Sequence, residues 1–118
     1  MGTQRVTLNY STNNVNVQIL VIGFKVFQIN STLTLYVDGT NAILRVNQLQ
    51  FTNASANTLK EVYTLPSEYQ DYVPPTALLV NDYNVNRTVI LGNNRKISIV
   101  QTTAGSGTIN ATFTYSYQ

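Results

Sequence analysis

The chain contains no cysteine, no histidine and no tryptophan. Without thiols there is no disulfide framework, no iron–sulfur cluster and no thiolate zinc site. Without imidazole the most common general base is missing, a Ser-His-Asp arrangement is impossible, and the usual zinc, copper and iron sites lose their main ligands. Charge is also scarce. Lys, Arg, Asp and Glu together make up 10% of the 118 residues, against about a quarter in an ordinary domain. The seven basic residues are scattered, with only Arg95 and Lys96 adjacent. Phosphate binding needs clustered cations, so nucleic acid is not an expected partner. No apolar run is long enough to span a bilayer: the longest, Ile19 to Phe24, covers six residues, so no membrane insertion is expected. The N-terminus shows neither the charged nor the apolar region of a signal peptide.

Asn and Thr fill the space that charge leaves. There are 15 Asn and 16 Thr. Thr packs well on a pleated surface, and Asn tolerates the left-handed conformations of turns. Period-two alternation runs along almost the whole chain. Val6, Leu8 and Tyr10 alternate with polar residues, as do Leu33, Leu35 and Val37, which stop at the turn signal Asp38-Gly39. From Val15 to Val26 both phases are apolar, which predicts one strand that is central and covered on both faces, or that lies at a contact between subunits. Leu44 and Val46 are out of phase with Leu49 and Phe51, so a bulge is expected near Asn47-Gln48. Residues 53–57 read as a polar loop and Leu59–Leu65 as a strand. Residues 66–76 hold all three prolines and form the longest irregular segment. Further strands are expected at 78–80, 85–91, 97–99 and 109–117, with turns at Asn81–Asn84, Gly92–Asn94 and Ala104–Gly107. No stretch keeps helical spacing for more than two turns. About nine short strands in one domain spanning residues 1–118 predict an all-β, antiparallel β-sandwich or jelly roll.

Candidate chemistry is thin. The five carboxylates are Asp38, Glu61, Glu68, Asp71 and Asp82. A glycosidase would need two of them across a cleft, such as Glu68 or Asp82 with Asp71; Asp38 and Asp82 read more simply as turn residues. Asn81–Asn86 offers alternating oxygen donors to calcium but lacks the glycine and terminal glutamate of an EF-hand loop. Gly105-Ser106-Gly107 precedes a strand rather than a helix, which removes a phosphate-loop reading. The five Asn-x-Ser/Thr sequons, at Asn9, Asn30, Asn53, Asn86 and Asn110, are close to what composition alone produces. No enzyme activity, cofactor or metal is expected.

Eight Tyr residues are the positive signal. A Tyr ring combines a flat apolar face with a hydrogen-bonding tip at small entropic cost, which suits recognition. Tyr69, Tyr72 and Tyr83 fall in or beside predicted loops, the first two near Gln70 and Asp71 and the third between Asp82 and Asn84. Tyr69, Tyr72, Asp82, Tyr83 and Asn84 form the expected ligand-binding set, with sugar stacking on rings and hydrogen-bonding to Asn and Asp. Tyr115 and Tyr117 alternate within the last strand and are expected in the core or at a subunit contact.

Residues 61–118 carry Tyr63-Thr64-Leu65-Pro66, then Ser67-Glu68-Tyr69 and Val73-Pro74-Pro75, a hairpin through Gly92-Asn93-Asn94, and a final Phe113-Thr114-Tyr115-Ser116-Tyr117. In this they resemble the C-terminal head domains of phage and other viral tail or fibre proteins. Ser67-Glu68 stands where that pattern has Gly, and Gln70-Asp71-Tyr72 intervenes before the prolines. The resemblance implies a jelly-roll-like knob, a homotrimer, a place at the tip of a virion fibre or tail, and attachment to a host-surface receptor, a glycan in particular. The alternatives are a purely structural virion or fibre assembly protein and a secreted or surface lectin-like adhesin.

Overall fold

The structure is a computed structural model that describes the backbone of residues 5–12, 15–22 and 24–118 and the side chains of residues 24–118. It is an all-β protein. Among the described residues ten strands run in chain order: β1 Arg5–Thr12, β2 Val15–Ile22, β3 Lys25–Gln28, β4 Leu33–Val37, β5 Asn41–Ala54, β6 Lys60–Thr64, β7 Leu78–Asn81, β8 Arg87–Leu91, β9 Lys96–Gln101 and β10 Gly105–Ser116. Between β6 and β7, Ser67–Tyr72 form a short 3-10 helix started by Pro66. Among the described residues no helix is long and apolar enough to cross a membrane.

Two four-stranded antiparallel sheets, in the orders β10-β5-β4-β3 and β6-β9-β8-β7, form a sandwich. Its core is filled by the alternate residues that the period-two pattern singles out. Leu33, Leu35 and Val37 of β4 meet Leu44 and Val46 of β5, Val89 and Leu91 of β8, Ile97 and Ile99 of β9, and Ile109 and Phe113 of β10. In the first sheet β10 joins the β3-β4-β5 meander beside β5, so strand order follows chain order; in the second, β6 joins the β7-β8-β9 meander beside its far strand β9, a Greek-key order. A jelly roll would alternate its strands between sheets, and these orders do not. The short crossovers 55–59 and 102–104 carry the chain from one sheet to the other and back.

The predicted bulge at Gln48 is present. Gln48 takes φ 60°, and the β10–β5 register skips it, Ile109 facing Leu49 and Asn110 facing Asn47. A second irregularity sits at Asn53, φ 56°. Side chains of β10 hold both: Asn110 Oδ1 accepts the Gln48 N–H at 3.0 Å, and Ser106 Oγ accepts the Asn53 N–H at 3.0 Å. Capturing these freed amides offsets the left-handed backbone.

Several boundaries differ from expectation. The run from Val15 to Val26 is two strands rather than one, and among the described residues β2 pairs with β1 alone, in a two-stranded sheet of its own, so it is not a central strand. Whether its two faces are covered lies outside the described side chains. Val85 and Asn86 belong to a turn, because the Arg87 N–H bonds to Val85 O at 2.9 Å and closes the loop before β8 begins. Residues 53 and 54 still belong to β5 rather than to the polar loop. The final turn lies at residues 102–104, and Gly105 and Gly107 are already in β10. Gly107 is required there: a Cβ at this position would lie 2.9 Å from Arg87 Nη2 and 3.2 Å from Phe51 Cζ.

Candidate functional site

The connection from β7 to β8 is an exposed turn on a buried ionic base. Asp82 closes the turn with its own backbone, its N–H donating to Arg87 O at 3.1 Å. Its Oδ1 accepts the Asn84 N–H at 2.8 Å, the side-chain-to-backbone turn that Asp favours. Its Oδ2 accepts Arg87 Nη1 at 2.9 Å and the Asn110 N–H at 3.2 Å. Arg87 also donates from Nη1 to Thr108 O at 2.7 Å and from Nε to Gln101 Oε1 at 3.0 Å, and its guanidinium lies 4.8 Å from the centroid of the Phe51 ring. The side chain of Asp82 is fully buried and that of Arg87 is 7% exposed. Removing two charges from water is expensive, and this density of partners is what makes such a pair tolerable.

One consequence is mechanical. The Tyr83 N–H donates to Asn110 O at 2.9 Å, so the turn is tied to the edge of β10 as well as to its own ion pair. On this base Tyr83 is 68% exposed, Val85 is 47% exposed, and Asn84 and Asn86 are exposed. Beside the turn lies an open depression of about 360 Å³, lined by Val85, Asn86 and Arg87, and by Gln101, the crossover 102–104 and the start of β10. Thr102, Thr103 and Ser106 bring hydroxyl-bearing side chains to this lining, the Ser106 Oγ also accepting the Asn53 N–H, and its one charged residue, Arg87, is paired with Asp82.

The five expected ligand-binding residues separate into two groups. Asp82, Tyr83 and Asn84 occupy this turn. Asp82 acts as its anchor, since both carboxylate oxygens are engaged within the protein. A calcium ion at Asn81–Asn86 would have to displace the Arg87 guanidinium from its main anionic ligand, and among the described residues no group of three acidic side chains gathers. Tyr69 and Tyr72 lie elsewhere, in the 3-10 helix, packed on the end of β10 that faces Ala42. Tyr69 is 9% exposed and meets Phe27 edge-on, ring centroids 5.6 Å apart. Tyr72 lies 5.7 Å from Phe27 and 5.3 Å from Tyr117. Their ring faces are occupied, and Asn110 and Tyr115 are about 17 Å apart along an extended strand. Tyr69 and Tyr72 therefore leave the candidate site and become the clamp that holds residues 66–77 on the sandwich.

Burial dominates the ionisation of this clamp. It raises the Tyr115 phenol far above its usual range while the hydroxyl donates to Tyr72 O at 2.7 Å. It raises Tyr69 and Tyr117 too, with Glu68 adding to the first and Tyr72 and Asp38 to the second. The Tyr117 hydroxyl donates to Asp38 O.

Arg87 and Gln101 are the site residues that sequence reasoning missed. A signal for Arg87 was present: it falls in phase with Val89 and Leu91, whose alternation puts it on the inner face. Nothing in the sequence marks Gln101 as its partner. No protein-family model, no curated protein and no solved structure matches the chain.

Proposed function

We propose that this chain is a non-catalytic attachment head: a domain at the tip of a virion fibre or tail that associates as a homotrimer and binds a host-surface glycan through the Asp82–Asn86 turn. One observation carries the binding part. Tyr83 presents its ring to solvent from a turn whose base is a buried, multiply hydrogen-bonded ion pair. A large aromatic group held outward on a rigid support is prepaid in entropy, which is what a weak recognition site needs. Asn84 and Asn86 flank it with amide donors and acceptors, and the neighbouring depression is polar, its one charged residue, Arg87, being neutralised by the buried Asp82, which suits a neutral hydroxylated ligand. The virion location and the threefold assembly rest on the resemblance over residues 61–118. Each site is weak by itself, and three copies on one fibre raise the avidity.

The test is a glycan array followed by titration of the best ligand. Tyr83→Ala and Asn84→Ala should each weaken binding by about tenfold or more, the scale of one lost stacking or hydrogen-bonding contact. Their melting temperatures should match the parent. Unchanged affinity in both variants would remove the turn as the site, and an array with no ligand at all would leave the purely structural virion protein as the better reading.

A further inference from the structure

The ion pair beneath the 82–86 turn leaves one nitrogen unused. A guanidinium carries five N–H bonds. In Arg87 the one on Nε goes to Gln101 Oε1, and those on Nη1 go to Asp82 Oδ2 and Thr108 O. Nη2 has no hydrogen-bond partner among the described residues. None of their fully buried side-chain nitrogen or oxygen atoms is left without a partner. Nη2 is therefore within reach of solvent, although the Arg87 side chain as a whole is only 7% exposed. It lies beside Gly107, where a Cβ would come within 2.9 Å of it. Arg87 and Ser106, the neighbour of Gly107, both line the depression of about 360 Å³ next to the turn. That volume is at the lower end of the roughly 300–1,000 Å³ of small-molecule sites. A donor held almost out of water and left unpaired by the fold is costly unless a ligand takes it up.

The rest of the lining narrows the ligand. Val85 brings an apolar side chain that is 47% exposed, and Thr102 and Thr103 bring exposed hydroxyl-bearing ones. We infer that the depression takes the acetamido group of a neutral N-acetylated sugar. The carbonyl oxygen accepts from Arg87 Nη2, the methyl packs on Val85, and the N–H donates to a threonine hydroxyl. A plain hexose offers an oxygen to Nη2 but no methyl to Val85. An acidic sugar brings a charge to a guanidinium that Asp82 already neutralises from 2.9 Å. This inference rests on the glycan binding proposed for the turn and names the class of sugar. Tyr83 and Val85 are two residues apart, at most about 7 Å between Cα atoms, so the exposed ring and the depression are close enough to serve one ligand.

The experiment is an NMR titration of the isotope-labelled full chain with N-acetylglucosamine and N-acetylgalactosamine, against glucose, galactose and glucuronic acid. The acetylated sugars should shift the amide signals of residues 85–87 and 102–106 and the side-chain signals of Arg87. They should bind about tenfold more tightly than the hexoses, the scale of one added polar contact and one methyl. Glucuronic acid should bind no better than glucose. Arg87 stays intact, because its loss threatens the fold; Val85, exposed in the turn, is the residue to change. Val85→Ser should weaken the acetylated sugars about fourfold, the worth of roughly one buried methylene, and leave the hexoses unchanged. Equal affinity for acetylated sugars and hexoses, tighter binding of glucuronic acid, no response to either acetylated sugar, or shifts confined to residues 83 and 84 would overturn the acetamido site and leave the turn open to another glycan. No shift with any of these sugars, together with an empty glycan array, overturns the glycan reading itself.

Discussion

At the scale of single residues the protein depends on a few polar groups placed where water cannot reach. Arg87 and Asp82 are each other's counter-ion, and each has further partners in the turn and in β10. Arg87→Ala should cost about 3–5 kcal/mol, because it leaves the fully buried Asp82 carboxylate without a cation. Replacing both, Asp82→Leu with Arg87→Met, should cost less than Arg87→Ala alone; urea denaturation of the three proteins checks this ordering. Asp38 and Tyr115 are among the groups that make stability depend on pH. The Thr40 and Asn41 backbone amides donate to Asp38 and lower its pKa below the ordinary 3.8. A depressed carboxylate stabilises the fold above its unfolded pKa, and that contribution is lost as pH falls through the folded value. The melting temperature should therefore decline in strong acid, by a smaller amount in Asp38→Asn. Tyr115 has the opposite sign in pH. Its phenol is raised by burial, so the unfolded chain ionises first and stability falls as pH rises past the ordinary 10.0. Tyr115→Phe should flatten that alkaline decline, at a cost of about 1 kcal/mol at neutral pH for the lost bond to Tyr72 O.

At the scale of elements β10 is the organising strand. It pairs with β5 along nearly its whole length, supplies Asn110 and Ser106 to the two irregularities of β5, and ties down the 82–86 turn from its other edge. Gly107→Ala should destabilise by about 1–3 kcal/mol, because the new methyl would enter a gap already taken by Arg87 and Phe51. Gln48→Val should cost about 1–2 kcal/mol, since a β-branched residue resists φ 60°; thermal melts measure both. The bulge at Gln48 was legible because it moves apolar residues out of phase. The one at Asn53 was not, because it comes after the last large apolar residue of β5, Phe51, and only Ala54 follows to show a shift. The break between β2 and β3 was hidden by apolar residues in both phases. The last turn was misplaced because Gly105 and Gly107 read as turn residues, when Gly107 makes room for side chains that arrive from β5 and β8.

At the scale of the whole molecule the fold is a sandwich of two antiparallel sheets sharing one core. Truncating a fully buried member should weaken the whole domain. Phe113→Ala should lower stability by about 3–5 kcal/mol in a single cooperative transition, followed by circular dichroism and Tyr fluorescence together. All-β class, antiparallel pairing and most of the core could be read from alternation, because the period of two is a property of a strand by itself. The absence of thiol and imidazole chemistry was equally plain, since it depends only on which residues exist. Which strands lie side by side, and which tyrosines stay free, only the tertiary structure decided. Tyr69, Tyr72 and Tyr83 look alike in sequence, but Phe27 and Tyr117, each more than thirty residues away along the chain, pack on the first two, while the third is 68% exposed. Whether a ring is free depends on contacts between distant segments, and no local pattern carries that information.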